Sequence, residues 1–139
     1  MQTALFRQQH KEILAVVGEL SSLCSGSAST VSQKAADIRA KLVALTGKVN
    51  VHLSAEDKSL YPLLFAKEGL PAAKIASTFA AEMGSLAGAF KQFVANWPTG
   101  DAIASGPDKF VQEFNGIVKA LGNRIEREEK DLYPLADAL

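Results

Sequence analysis

Apolar residues recur every three or four positions through most of the chain, the period that gathers them onto one face of a helix. From Thr3 to about Leu23 the stripe is Phe6, Ile13, Val17 and Leu20, with His10 set into it. The run Ser25-Gly26-Ser27-Ala28-Ser29-Thr30 interrupts that helix and supplies N-cap residues for the next. A second helix is predicted from about Val31 to Ala66, on Ile38, Leu42, Leu45, Val49, His52, Glu56, Leu60 and Leu63, with a late bend at Pro62. Gly69 stops it, and Pro71 suits the first turn of a third helix, which reads Ile75, Phe79, Met83, Leu86, Phe90, Phe93 and Trp97. In that helix Gly84 and Gly88, among alanines, predict close approach to a neighbour. After Asn96-Trp97-Pro98-Thr99-Gly100 and a polar loop, Gly106-Pro107-Asp108 starts a last helix on Phe110, Phe114, Ile117, Leu121, Arg124, Glu128, Leu132 and Leu135, and Pro134 repeats the bend. No alternating strand pattern competes. The expected fold is all-α, an antiparallel up-down four-helix bundle formed by residues 1–139 as a single domain.

One stretch occurs twice. His52-Leu53-Ser54-Ala55-Glu56-Asp57-Lys58-Ser59-Leu60-Tyr61-Pro62-Leu63 returns as Arg124-Ile125-Glu126-Arg127-Glu128-Glu129-Lys130-Asp131-Leu132-Tyr133-Pro134-Leu135. Residues four apart on a helix stand one above the other, so the first copy sets an imidazole over a carboxylate, a pair of metal ligands. The second copy has a guanidinium in the imidazole's place, and a guanidinium has no lone pair to give. His10, His52 with Glu56, and Arg124 with Glu128 all fall on apolar stripes, while Glu82 borders the third. Buried charges of this kind need a partner. Metal sites in helical bundles are built from such convergent side chains. Tyr61 and Tyr133 are expected to cap the bundle end, and Glu126-Arg127-Glu128-Glu129-Lys130, Glu128 apart, to form solvated face.

Composition narrows the partners. Fifteen basic and fifteen acidic residues cancel, leaving no field to attract nucleic acid or an anionic membrane. The single cysteine, Cys24, excludes an internal disulfide and a cysteine-rich metal site. With no secretory or membrane-spanning run, a cytoplasmic protein is the expectation. The sequence names no protein partner and leaves a homodimer open. It shows no nucleophile–base arrangement, so catalysis is not expected.

These residues together resemble the hemerythrin-type HHE cation-binding domain over nearly the whole chain. The resemblance implies a two-iron bundle with ligands at positions matching His10, His52, Glu56 and Glu128, and a role in carrying or sensing dioxygen, nitric oxide or iron. The Leu-Tyr-Pro-Leu run after each motif is similar to the family's Leu-Phe-Pro-Leu. Two imidazoles of that pattern are absent: Met83 follows Glu82 where the third helix would supply one, and Arg124 opens the last motif. Two expectations follow. In the first, the bundle is a metal-free regulatory or interaction module whose Arg124 guanidinium sits where an iron would, bridging Glu56 and Glu128. In the alternative, a reduced site keeps a single divalent ion (iron, zinc or manganese) on His10, His52 and Glu56, with Glu128 or Glu82.

Overall fold

The structure, a computed structural model, describes residues 3–139. In chain order it contains α1 (Ala4–Leu23), α2 (Ala28–Gln33), α3 (Ala35–Ser59), α4 (Tyr61–Phe65), α5 (Pro71–Asn96), α6 (Gly100–Ser105) and α7 (Pro107–Arg127). A π-helical turn over Glu128–Leu132 then leads into α8 (Tyr133–Asp137). There is no strand among the described residues, and the fold is all-α as the periodicity predicts. Early residues of one long helix meet late residues of another, as between antiparallel neighbours: His10 meets His52, Glu82 meets Arg127, and Phe93 stacks near Phe110. None of the helices is long and apolar enough to cross a membrane, among the described residues.

Two apolar clusters fill the bundle. One gathers Leu20, Ile38, Leu42, Leu45, Phe110 and Phe114; the other gathers Phe6, Leu60, Leu64, Phe79, Leu132 and Tyr133. His10 on α1, His52 and Glu56 on α3, and Glu128 on the last helix fall in sequence between members of the two clusters. The result is a polar layer walled by hydrocarbon on both sides, where electrostatic interactions are screened far less than in water.

The predicted second helix is broken twice. Ser27 caps α2, its Oγ accepting from the Thr30 N–H at 3.2 Å. The first break comes at Lys34 (φ −98°, ψ 8°), and it lets α2 lean on α6, where the Ser32 hydroxyl donates to the Ala104 carbonyl at 2.8 Å. The second comes at Leu60 (φ −97°, ψ −59°), two residues before Pro62. Leu132 (φ −98°, ψ −53°) repeats it two residues before Pro134. Proline has no N–H for the carbonyl four residues back, and its ring crowds that turn. In the last helix the chain answers by widening: the Tyr133 N–H reaches back five residues to the Glu128 carbonyl. Both breaks advance the buried stripe. Tyr61 with Leu64, and Tyr133 with Ala136, are buried, whereas Leu63 and Leu135, expected inside, are only half-buried.

Three further expectations are corrected. The polar loop after α5 contains α6, capped by Thr99, whose Oγ1 accepts from the Ala102 N–H at 3.1 Å. Its Ile103 is fully buried, and Gly100 lies so close to α3 that a Cβ would stand 3.4 Å from the Ala36 Cα. Gly84 and Gly88, by contrast, approach nothing: both are exposed, and a Cβ at either would meet no atom within 4 Å. Between Phe79 and Phe90 no residue of α5 is fully buried, and Met83 and Leu86 only edge the core. A cleft of about 140 Å³ remains there, lined by Leu53, Asp57, Tyr61 and Met83 among others. Met83 therefore walls a cleft instead of filling the core.

Candidate metal centre

The polar layer is built around five side chains: His10 of α1, His52 and Glu56 of α3, Glu128 at the start of the π turn, and Tyr133 at the start of α8. Their exposures run from 0% to 4%. His10 Nε2 stands 3.0 Å from His52 Nε2 and 2.9 Å from Glu128 Oε1. His52 Nε2 is 3.4 Å from Glu56 Oε2, as the one-turn spacing predicts, and 3.6 Å from Glu128 Oε1. One ligand-type atom from each of His10, His52, Glu56 and Glu128 lies within 4.8 Å of all the others.

The outer nitrogens of the two rings are also held. His10 Nδ1 is 2.7 Å from Glu129 Oε2, and His52 Nδ1 is 2.7 Å from Gln9 Oε1. A carboxylate oxygen and an amide oxygen only accept, so both Nδ1 atoms carry the hydrogen and a neutral ring then has its lone pair at Nε2. Metal-ligating histidines are oriented in this way by an acceptor behind the ring. Two lone pairs facing at 3.0 Å, beside two carboxylates, repel unless a positive charge sits between them: a shared proton in the free protein, or a cation.

Electrostatics divide the two carboxylates. Burial, and then the charge of Glu128, push the Glu56 carboxyl up to about 9, so it keeps a proton at neutral pH. Burial acts on Glu128 in the same sense. There, a hydrogen bond from the proton that the His10 and His52 rings share, and the Arg124 charge, outweigh it, and the carboxyl is held well below its usual range. Glu56 Oε1 has no hydrogen-bond partner among the described residues, and Glu128 Oε2 has only the Arg124 guanidinium near it, at 3.4 Å.

Arg124 is buried at 5% exposure, with its Nε 3.4 Å from Glu128 Oε2. Its guanidinium lies over the Phe79 ring at 4.6 Å, donates from Nη2 to the Tyr61 hydroxyl at 2.9 Å, and has Nη1 3.7 Å from Glu82. The expected bridge from Arg124 to Glu56 does not form. Glu56 is engaged instead by Tyr133, whose hydroxyl donates to its Oε2 at 2.7 Å, and by His52. Stacking on Phe79 draws the guanidinium toward α5, and it pairs with one site carboxylate only. Glu82, offered from the sequence as a further ligand, is not in the cluster: its side chain is 43% exposed and bound to Arg127, which holds its carboxyl below the usual range.

Four participants were not expected from the sequence. Gln9 and Glu129 orient the histidines, although Glu129 reads as solvated face; the π turn brings consecutive glutamates to the two nitrogens of one imidazole. Tyr61 and Tyr133 are buried partners of the charged layer, and do not cap the bundle end. A signal for Tyr133 was present, a phenol where the resembling family has phenylalanine. Cys24 is buried away from the layer, and burial pushes its thiol up to about 11, so it stays protonated and unreactive.

The donor set suits a cation. Two neutral imidazoles and two carboxylates, dry and already oriented, are ligands for iron, zinc or manganese. No curated protein and no solved structure matches the chain. The family model of the hemerythrin HHE cation-binding domain matches residues 1–136 of the 139, and the chain belongs to that family.

Proposed function

We propose that this protein holds one transition-metal ion in the cage of His10, His52, Glu56 and Glu128, and works as a single-cation member of a two-iron family, in sensing or regulation. The observation that supports this is the pair of imidazole lone pairs set 3.0 Å apart, each backed by an acceptor on its outer nitrogen. A second ion is disfavoured because Arg124, a permanent cation, stands beside Glu128 where the last motif would offer an imidazole. When bound, the ion supplies a Lewis-acidic centre able to take a small ligand. The residues bind it, orient it and exclude water from it.

Elemental analysis of protein loaded with iron(II), zinc or manganese(II) and then freed of excess ion tests this. About one equivalent should remain. At free metal a hundredfold above Kd, unfolding should become harder by about 2.7 kcal/mol, and a chelator should reverse the gain. The metal-free reading is favoured by the Arg124–Glu128 ion pair, and it requires the opposite result, no retained metal and an unchanged melting temperature.

The acceptors behind the rings make a separate prediction. Gln9→Leu removes the oxygen that holds His52 Nδ1 and leaves the ring free to turn. Metal affinity should fall about 10–100-fold, with about one equivalent still bound at saturation. Isothermal titration reads both quantities, and an unchanged Kd would mean that Gln9 does not orient the ring.

A further inference from the structure

The phenol oxygen of Tyr133 lies among the four donor atoms. It is 2.7 Å from Glu56 Oε2, 3.0 Å from His10 Nε2, and 3.5 Å from both His52 Nε2 and Glu128 Oε1. Tyr133 is fully buried, and its ring is wedged between Phe6 at 5.7 Å and His10 at 5.3 Å between centroids. The last helix reaches this position through its widened turn, which places Glu128 and Tyr133 five residues apart on the same cage. An ion bonded to the two imidazoles and two carboxylates would therefore lie within bonding reach of that oxygen, unless the packed ring swung away.

We infer that Tyr133 is a fifth ligand, a phenolate bound to the metal. This rests on the single-cation reading above and adds to it an anionic oxygen donor that suits a hard ion. The step is an acid–base exchange. Three protons leave to solvent: the one shared by the two imidazoles, the one on the Glu56 carboxyl, and the phenol's, which passes through Glu56 once its own has gone; an oxygen–metal bond forms with no change in oxidation state. Charge closes around it. Glu56, Glu128 and Tyr133 ionised carry three negative charges, and a divalent ion with the Arg124 guanidinium carries three positive ones. The arginine that excludes a second ion thereby offsets the extra anionic ligand of the first. Tyr61, the phenol of the first copy, is not such a ligand, because its hydroxyl is turned to Arg124.

Iron(III), supplied as its citrate complex, is the probe, since a phenolate bound to it gives a charge-transfer band in the visible. The measurements are iron content, visible absorption and resonance Raman spectra of the parent, Tyr133→Phe and Tyr61→Phe, each first shown to fold by circular dichroism. The parent and Tyr61→Phe should bind about one iron and be coloured, with enhanced phenolate ring modes. Tyr133→Phe should keep iron and lose both signals. Iron bound without the band, or a band that survives Tyr133→Phe, overturns the fifth ligand and leaves the single-cation reading standing. No iron retained by any of the three proteins overturns the fifth ligand, and the single-cation reading falls with it when zinc and manganese(II) are not retained either.

Discussion

Arg124→Ala should lower the unfolding free energy of the metal-free protein by about 3–5 kcal/mol, the loss expected when one partner of a buried charged pair is removed. The side chain is 5% exposed and covers the Phe79 ring. Its removal strands the Glu128 carboxylate in the hydrocarbon-walled layer, takes the donor from the Tyr61 hydroxyl and leaves a cavity over Phe79. Urea unfolding at pH 7 reads the change directly. A double variant separates charge from packing: Arg124→Met with Glu128→Gln buries no uncompensated charge and should be more stable than Arg124→Met alone. If Arg124→Ala melts with the parent, the guanidinium does not hold the polar layer together.

Glu56→Gln should act with opposite signs in the two states of the protein. Its carboxyl, raised to about 9 when folded, ionises near its ordinary value once the chain unfolds. Stability from this group is thus fully present below pH 4.5 and drains away as pH rises toward 9, by at most about 1.4 kcal/mol per pH unit. Glutamine never has to ionise and can still accept from Tyr133. The metal-free variant should therefore be more stable than the parent at pH 8, by up to about 5 kcal/mol, with the advantage vanishing near pH 4.5. With metal present the order reverses, because the parent exchanges the Glu56 proton for the ion and the variant has lost an anionic ligand. Thermal unfolding of both proteins from pH 4.5 to 9, with and without metal, checks both signs. A difference independent of pH would show that Glu56 does not keep its proton in the fold.

Much of the cage was legible because the helical period is a local property. His10 sits three before Ile13 and four after Phe6; His52 and Glu56 share a stripe with Val49 and Leu60; and the structure buries all three. The repeat pointed to Glu128 in the same way, by matching Glu56. What the period could not foresee lies beyond the two prolines. Each break advances the chain around the helix, so Leu64 and Ala136 replace Leu63 and Leu135 inside, and Tyr61 and Tyr133 turn inward. Glu129, one turn after the buried Ile125, likewise meets His10, although its charged neighbours read as solvated face.

Arg124 divides the same way. Its stripe position predicted burial, which the structure shows, and its partner Glu128 lies one turn on. Its other contacts belong to α4 and α5, and nothing in the order of residues around position 124 specifies Tyr61 and Phe79. The sequence by itself determined the all-α fold, the family, and which ligand-type side chains face inward, because spacing along one helix sets those directions. Only the tertiary structure decided which of them meet, that Glu56 belongs to Tyr133 and not to Arg124, and that a phenol stands amid the donors. Contacts between helices depend on where each break falls and how far it turns the chain, and no single helix contains that information.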